Sequence, residues 1–144
     1  MLMNLLYGLG AMLLCLFLQS LLLYASLRFY RNHRDHVNSP SIWSSLLVIK
    51  SVMMLLLLGN LAQIALWAGL FMMLGEFQQF DAAFYHSAVN FATLGYGDVV
   101  MSEKHKLLGP LEAVNGILMI GVSTAALMSA FQDSTRKTFK ARQE

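Results

Sequence analysis

Charge is what this sequence has least of. Only 12% of its 144 residues are Asp, Glu, Lys or Arg, while 57% are hydrophobic; soluble globular chains carry about twice that charged share. A single water-soluble domain has too little interior for so much apolar surface, so the bilayer is the expected solvent. Cysteine is nearly absent. Cys15 stands alone in an apolar run, which rules out an intrachain disulfide and leaves thiol redox chemistry without support. No repeat, low-complexity tract or soluble domain stands out. Neither a nucleophile–base pair nor a metal-ligand spacing is visible, so an enzyme is not expected and neither is a resident cofactor.

The few charges divide the chain. Residues 1–27, 51–75 and 113–132 carry none, and each run is long enough to cross the hydrocarbon, which takes about 20 apolar residues. A fourth uncharged run, 82–97, lies between Asp81 and Asp98. It is too short to cross as a helix and suits a re-entrant segment, which is tolerated at membrane depth only where protein or a water-filled cavity covers its backbone. Arg28, Arg31, Arg34 and Lys50 precede the second span, and Arg136, Lys137, Lys140 and Arg142 follow the last; only Lys104 and Lys106 lie elsewhere. The positive-inside rule then places the 28–50 region and the C-terminus in the cytoplasm and the N-terminus outside. The first run has no basic start and is followed by Arg28, so it reads as a retained span and not a cleaved signal.

These boundaries give a membrane helix over 1–27, a cytoplasmic linker over 28–41, a domain over 42–132 and a basic tail over 133–144. Within the domain, helices are expected over 42–75, 82–92 and 107–132, with 93–97 extended. Ser39 and Pro40 are placed to start the second span, and Asp81 to cap the short helix.

The run Phe91–Val100 reads FATLGYGDVV. A helix over 82–92 would be about 16 Å long, enough to reach halfway into the hydrocarbon. Entering from outside, it would point the negative end of its dipole at the membrane centre, where a cation is stabilised. Gly95 and Gly97 permit positive φ, so consecutive carbonyls can turn to one axis, with Tyr96 turned away as a brace. One loop supplies one wall. Encircling a dehydrated ion takes several copies, and the sequence contains one, so the chain has to oligomerise.

Thr93-Leu94-Gly95-Tyr96-Gly97-Asp98 resembles the filter signature of potassium channels, whose carbonyl rings replace the hydration shell of the ion. The resemblance covers roughly residues 50–132 and extends to Gly109-Pro110 and Asn115–Gly121. It implies an all-α membrane protein with three transmembrane helices, a re-entrant pore helix and a selectivity filter, assembled as a fourfold homotetramer in the cell membrane. It also implies potassium as the permeant ion, bound at Thr93, Leu94, Gly95 and Tyr96, with Gly97 completing the filter and Asp98 forming an acidic ring at the outer mouth. Gly121 and Gly116 are candidate gating hinges or close-packing positions, and Asn115 is a candidate for lining the cavity.

The sequence also departs from the family pattern. Ala92 stands where threonine is common, and Leu94 where valine or isoleucine is usual. Tyr85-His86 replaces an aromatic pair, and Val89 a carboxylate behind the filter. A weakly selective cation channel is therefore one alternative, and a non-conducting structural or regulatory membrane subunit another. The two spans ahead of the loop lack charge, so no built-in voltage sensor is expected, and the tail has no room for a ligand-binding domain. The basic tail is a candidate contact for anionic lipid. Tyr30 and the arginines around it read as an interfacial segment and not as a specific lipid site. His33, His36, His86 and His105 read as solvated or hydrogen-bonded side chains without a sensor role.

Overall fold

The computed structural model describes residues 1–33 and 42–141, and every regular element among them is a helix. α1 spans Leu2–Asn32, α2 Ile42–Met73, α3 Phe80–Phe91 and α4 Leu108–Ala141. Leu2–Asn32, Leu46–Met73 and Leu108–Arg136 are long and apolar enough to cross a membrane. At 12 residues, α3 is too short to cross. The first and last spans run past their expected ends. Neither 28–32 nor 133–141 contains a glycine or proline, so nothing local stops a helix there. The tail is thus helical as far as Ala141. The expected start at Ser39-Pro40 lies outside the described residues, as do Arg34, His36 and Arg142.

α2 ends for a clear reason. Gly75 takes φ +76°, its N–H donates to Met72 O, and the Glu76 N–H donates to Phe71 O, each at 3.0 Å. This is the Schellman pattern, in which a glycine turns the chain left-handed and covers the last carbonyls of the helix. Gln79 precedes α3 at the cap position and makes no side-chain cap. Asp81 is therefore not the cap that was expected. It lies in the first turn, where a carboxylate still complements the helix dipole. At the start of α4, Pro110 falls in the first turn, where a missing N–H breaks no intrahelical bond.

The chain forms two compact units. The first contains Met1–Gln19 and Asn60–Ile120, the second Ser20–Gly59 and Gly121–Glu144. The core of the first unit is Ala11, Cys15, Ile64, Trp67, Phe71, Phe91, Leu108 and Met119. α1 joins it through Asn4, Gly8, Ala11, Cys15 and Gln19, all buried and spaced three or four residues apart along one helical face. Asn4 Nδ2 donates to Lys104 O at 2.6 Å, and Gln63 Nε2 donates to Gln19 Oε1 at 2.8 Å. A Cβ on Gly8 would lie 2.5 Å from Leu111 Cδ1. Small residues allow this close approach, and paired amides satisfy each other in a membrane interior. In the second unit, Tyr30 and Val48 pack with Phe29 and Ala130, and the Tyr30 hydroxyl donates to Asp133 Oδ2 at 2.9 Å.

Gly116 is the tightest point of the first unit. A Cβ there would lie 2.0 Å from Phe91 O and 2.7 Å from Phe91 C, both backbone atoms that cannot swing aside. Gly10 has nothing within 4 Å of its Cβ position. Gly116→Ala should therefore destabilise the protein by at least the roughly 1–3 kcal/mol typical of overpacking, whereas Gly10→Ala should be neutral or slightly stabilising. Thermal unfolding of the two variants in one detergent checks this, and equal melting temperatures would contradict it.

Candidate functional site

The site is built from the end of α3 and the backbone that follows it. Ala92 closes the helix at φ −81° and ψ 0°. Thr93 N–H then donates to Asn90 O and Leu94 N–H to Val89 O, both at 2.8 Å. This repeats the bonding that ends α2, with Thr93 in the glycine position. Thr93 has φ +59°, and it is the one non-glycine residue with positive φ among those described. For an L-residue this costs about 1–2 kcal/mol, and a β-branched side chain makes such a value a true outlier. Strain of this kind collects at functional sites.

Positive φ then recurs at every second residue: Thr93 at +59°, Gly95 at +59° and Gly97 at +74°, with Leu94 and Tyr96 on the ordinary side. A strand keeps one handedness and points successive carbonyls to opposite sides. Alternating handedness turns every second peptide plane over, which brings the carbonyls to one side. Among the described residues, no backbone–backbone hydrogen bond ends on a carbonyl of 93–97. All five residues are exposed. Tyr96 is 66% exposed and does not brace the loop within its own chain.

The segment after the filter-like run is strapped to α3. Tyr85 Oη donates to Asp98 Oδ2 at 2.6 Å, and Val99 N–H donates to Asp98 Oδ1 at 3.0 Å. The tyrosine hydrogen bond is the main reason why the Asp98 carboxyl sits below its ordinary range. His86 Nδ1 lies 2.8 Å from Val99 O, and its Nε2 lies 2.9 Å from Asn90 Nδ2. A carbonyl can only accept, so Nδ1 carries the proton and Nε2 accepts from the Asn90 amide. Phe71 and Phe77 flank the imidazole with centroids at 5.6 and 5.2 Å. The Tyr85-His86 pair, a departure from the family pattern, thus supplies both straps.

Two further acidic side chains take part, in roles the sequence does not announce. Glu112 of α4 is completely buried. It accepts from Ser87 Oγ of α3, whose hydroxyl also lies 2.8 Å from Ile64 O. With Val89 on α3 itself, the acidic side chain against the short helix comes from a different element. Its sequence signal is an isolated acid beside an uncharged run. Glu76 accepts from Ser102 N–H at 2.7 Å and from Ser102 Oγ at 2.6 Å, and His105 Nδ1 lies 2.5 Å from its Oε1. Burial pushes the Glu76 carboxyl up, but the Ser102 hydroxyl, the Ser102 amide and His105 together outweigh it and hold it below its ordinary value.

The remaining candidates separate. Gly116 packs under Phe91, whereas Gly121 has nothing within 4 Å of its Cβ position. Asn115, the candidate for lining a cavity, is completely buried within its own chain and lies beside Cys15. Within this chain α1 covers it through Cys15. A cavity of about 350 Å³ does adjoin the site, lined by His86, Asn90, Thr93, Gly95 and Gly109 among others.

A family model described as an ion channel matches residues 53–133. The match takes in α3, the run after it and the straps, but not α1. No curated protein and no solved structure gives a match.

Glu76 generates a pH prediction. Its folded carboxyl sits below the ordinary value of 4.5, so its stabilising contribution is present above that value and is lost as pH falls through the lower folded value. Glu76→Gln should melt lower than the unmodified protein at neutral pH, and the gap should close on acidification below about 4.5. Melting curves across that range test this; a gap that stays constant with pH would contradict it.

Proposed function

Since the chain belongs to the ion-channel family whose model matches residues 53–133, we propose that it is a potassium-selective channel working as a homotetramer. Its filter is Thr93, Leu94, Gly95, Tyr96 and Gly97. The observation that carries this reading is the alternation of positive φ at Thr93, Gly95 and Gly97 within the hexapeptide ending at Asp98. Four such runs around an axis would stack rings of carbonyl oxygens, each ring replacing part of the hydration shell of the ion. Potassium binds at Thr93, Leu94, Gly95 and Tyr96, and Asp98, strapped by Tyr85, forms the outer ring. The ion moves down its electrochemical gradient and nothing is chemically converted.

Three features support the assembly. The carbonyls of 93–97 accept no backbone hydrogen bond from their own chain among the described residues. Tyr96, 66% exposed, is open to packing against a neighbouring copy. α4 exposes Val114, Ile117, Leu118, Val122, Met128 and Phe131, an apolar surface for other copies or for lipid. The C-terminal end of α3 at Ala92 offers its negative dipole end to a cation held below the filter. Gly121, with open space around it, is the hinge candidate on α4. The protein lies in the cell membrane with its N-terminus outside, and the basic tail contacts anionic lipid.

A less selective cation channel is the second reading, favoured by Leu94, whose side chain is 54% exposed where a shorter β-branched one is usual. Reversal potentials in mixed potassium and sodium separate the two readings.

Gly95→Ala tests the filter directly. An alanine at φ +59° costs about 1–2 kcal/mol, so four copies would add about 4–8 kcal/mol. That is comparable with the net stability of a whole fold, about 5–15 kcal/mol, so the filter should rearrange instead of absorbing the strain. In liposomes the unmodified protein should pass potassium, and Gly95→Ala should lose selective flux while keeping its assembled size. Undiminished selective flux in the variant would reject the assignment.

A further inference from the structure

The second unit contains a cavity of about 410 Å³, within the size range of small-molecule sites. Its walls are amphipathic. Leu23, Leu27, Val52, Ala126 and Ala130 make the apolar part, while Ser26, Tyr30, Arg31, Ser129 and Asp133 make the polar part. Ser26 Oγ is buried and has no hydrogen-bond partner, an arrangement that is unfavourable unless something occupies its neighbourhood. The Asp133 carboxylate accepts from the Tyr30 hydroxyl. Arg31, in the last turn of α1, is exposed, and neither ion pair among the described residues involves it.

The position of the cavity along α1 suggests its occupant. α1 has 31 residues and is about 46 Å long, longer than the roughly 30 Å hydrocarbon core. Its last turn, with Arg31, therefore reaches headgroup level, while Leu27 and Leu23 lie one and two turns deeper. The charge balance has one sign. The sequence of this unit, 20–59 and 121–144, holds eight of the ten basic residues against three acids. An apolar slot that opens beside an arginine in the headgroup layer matches a molecule with an acyl chain and a phosphate.

We propose that this cavity binds an anionic phospholipid, one acyl chain lying along Leu23, Leu27 and Val52, the phosphate paired with Arg31, and an ester oxygen accepting from Ser26 Oγ. Tyr30 and Asp133 complete the wall, and their mutual hydrogen bond keeps the carboxylate engaged and so limits its repulsion of the phosphate. The site is separate from the tail contact in the functional reading, since it uses α1, and it requires only that the chain spans a membrane.

The test uses the full-length protein in phosphatidylcholine vesicles doped with phosphatidylglycerol, followed by native mass spectrometry of the lipid that stays bound. The unmodified protein should retain phosphatidylglycerol over phosphatidylcholine. Arg31→Gln should reduce that preference about fivefold, the expected effect of one basic residue at a membrane surface. Ala126→Phe should fill the slot and lower retention of both lipids; if it fails to fold, Arg31→Gln decides alone. Replacing Arg136, Lys137, Lys140 and Arg142 with Gln should remove the lipid held by the tail but leave a retained phosphatidylglycerol that is still lost in Arg31→Gln, and free glycerol phosphate should not displace it. The proposal is overturned by an unchanged preference in Arg31→Gln, by loss confined to the tail variant, by displacement with glycerol phosphate, or by a map showing a second copy of the chain in the cavity.

Discussion

Extended backbone at membrane depth has no water to bond to, and in the proposed function this requirement governs what surrounds residues 93–97. A helix satisfies itself; this segment does not. Its N-terminal end is covered by the bonds from Thr93 and Leu94 to the last carbonyls of α3, and its C-terminal end by the hold of Tyr85 and His86 on Asp98 and Val99. Between these anchors the chain alternates handedness at the cost of a threonine in a conformation that suits glycine. Such strain persists only where the surroundings over-determine it, and two anchored ends a few residues apart are such surroundings. The carbonyls in between are left to something that is not the chain itself. In the proposed function, a dehydrated cation among symmetry-related copies meets that need.

The rest of the first unit holds α3 in place. α4 comes so close to Phe91 that only glycine fits at position 116, and its Glu112 reaches Ser87 from behind. α1 adds a polar and small-residue face, from Asn4 to Gln19, that bonds both to the loop at Lys104 and to Gln63 of α2. The helix outside the family match is thus built into the same core, through Ala11 and Cys15. It is an internal part of the unit that carries residues 93–97, and not an appendage.

Much of this was legible in the sequence. Spans announce themselves because charge is costly in hydrocarbon, and uncharged runs therefore mark them. The alternating handedness after α3 is legible at two of its positions, because positive φ draws glycine to 95 and 97. The third position, Thr93, carried no such signal; its conformation is imposed by the turn that ends α3. Other features depend on neighbours distant in sequence. Glu112 faces α3 only because α4 folds back over it, and Asn115 is enclosed only because α1 covers it, so neither follows from a local pattern. Asp81 was read as a cap because aspartate favours that position, but the helix starts earlier, with no side chain capping it.

The central claim is that oxygens of residues 93–96 from four copies hold a bare monovalent cation. A density map of the assembled protein with thallium in place of potassium tests it most directly. The account predicts a fourfold assembly with a column of strong peaks on its axis, each between rings of main-chain oxygens from these residues. A monomer, an axis without such peaks, or carbonyls of these residues turned away from the axis would contradict it.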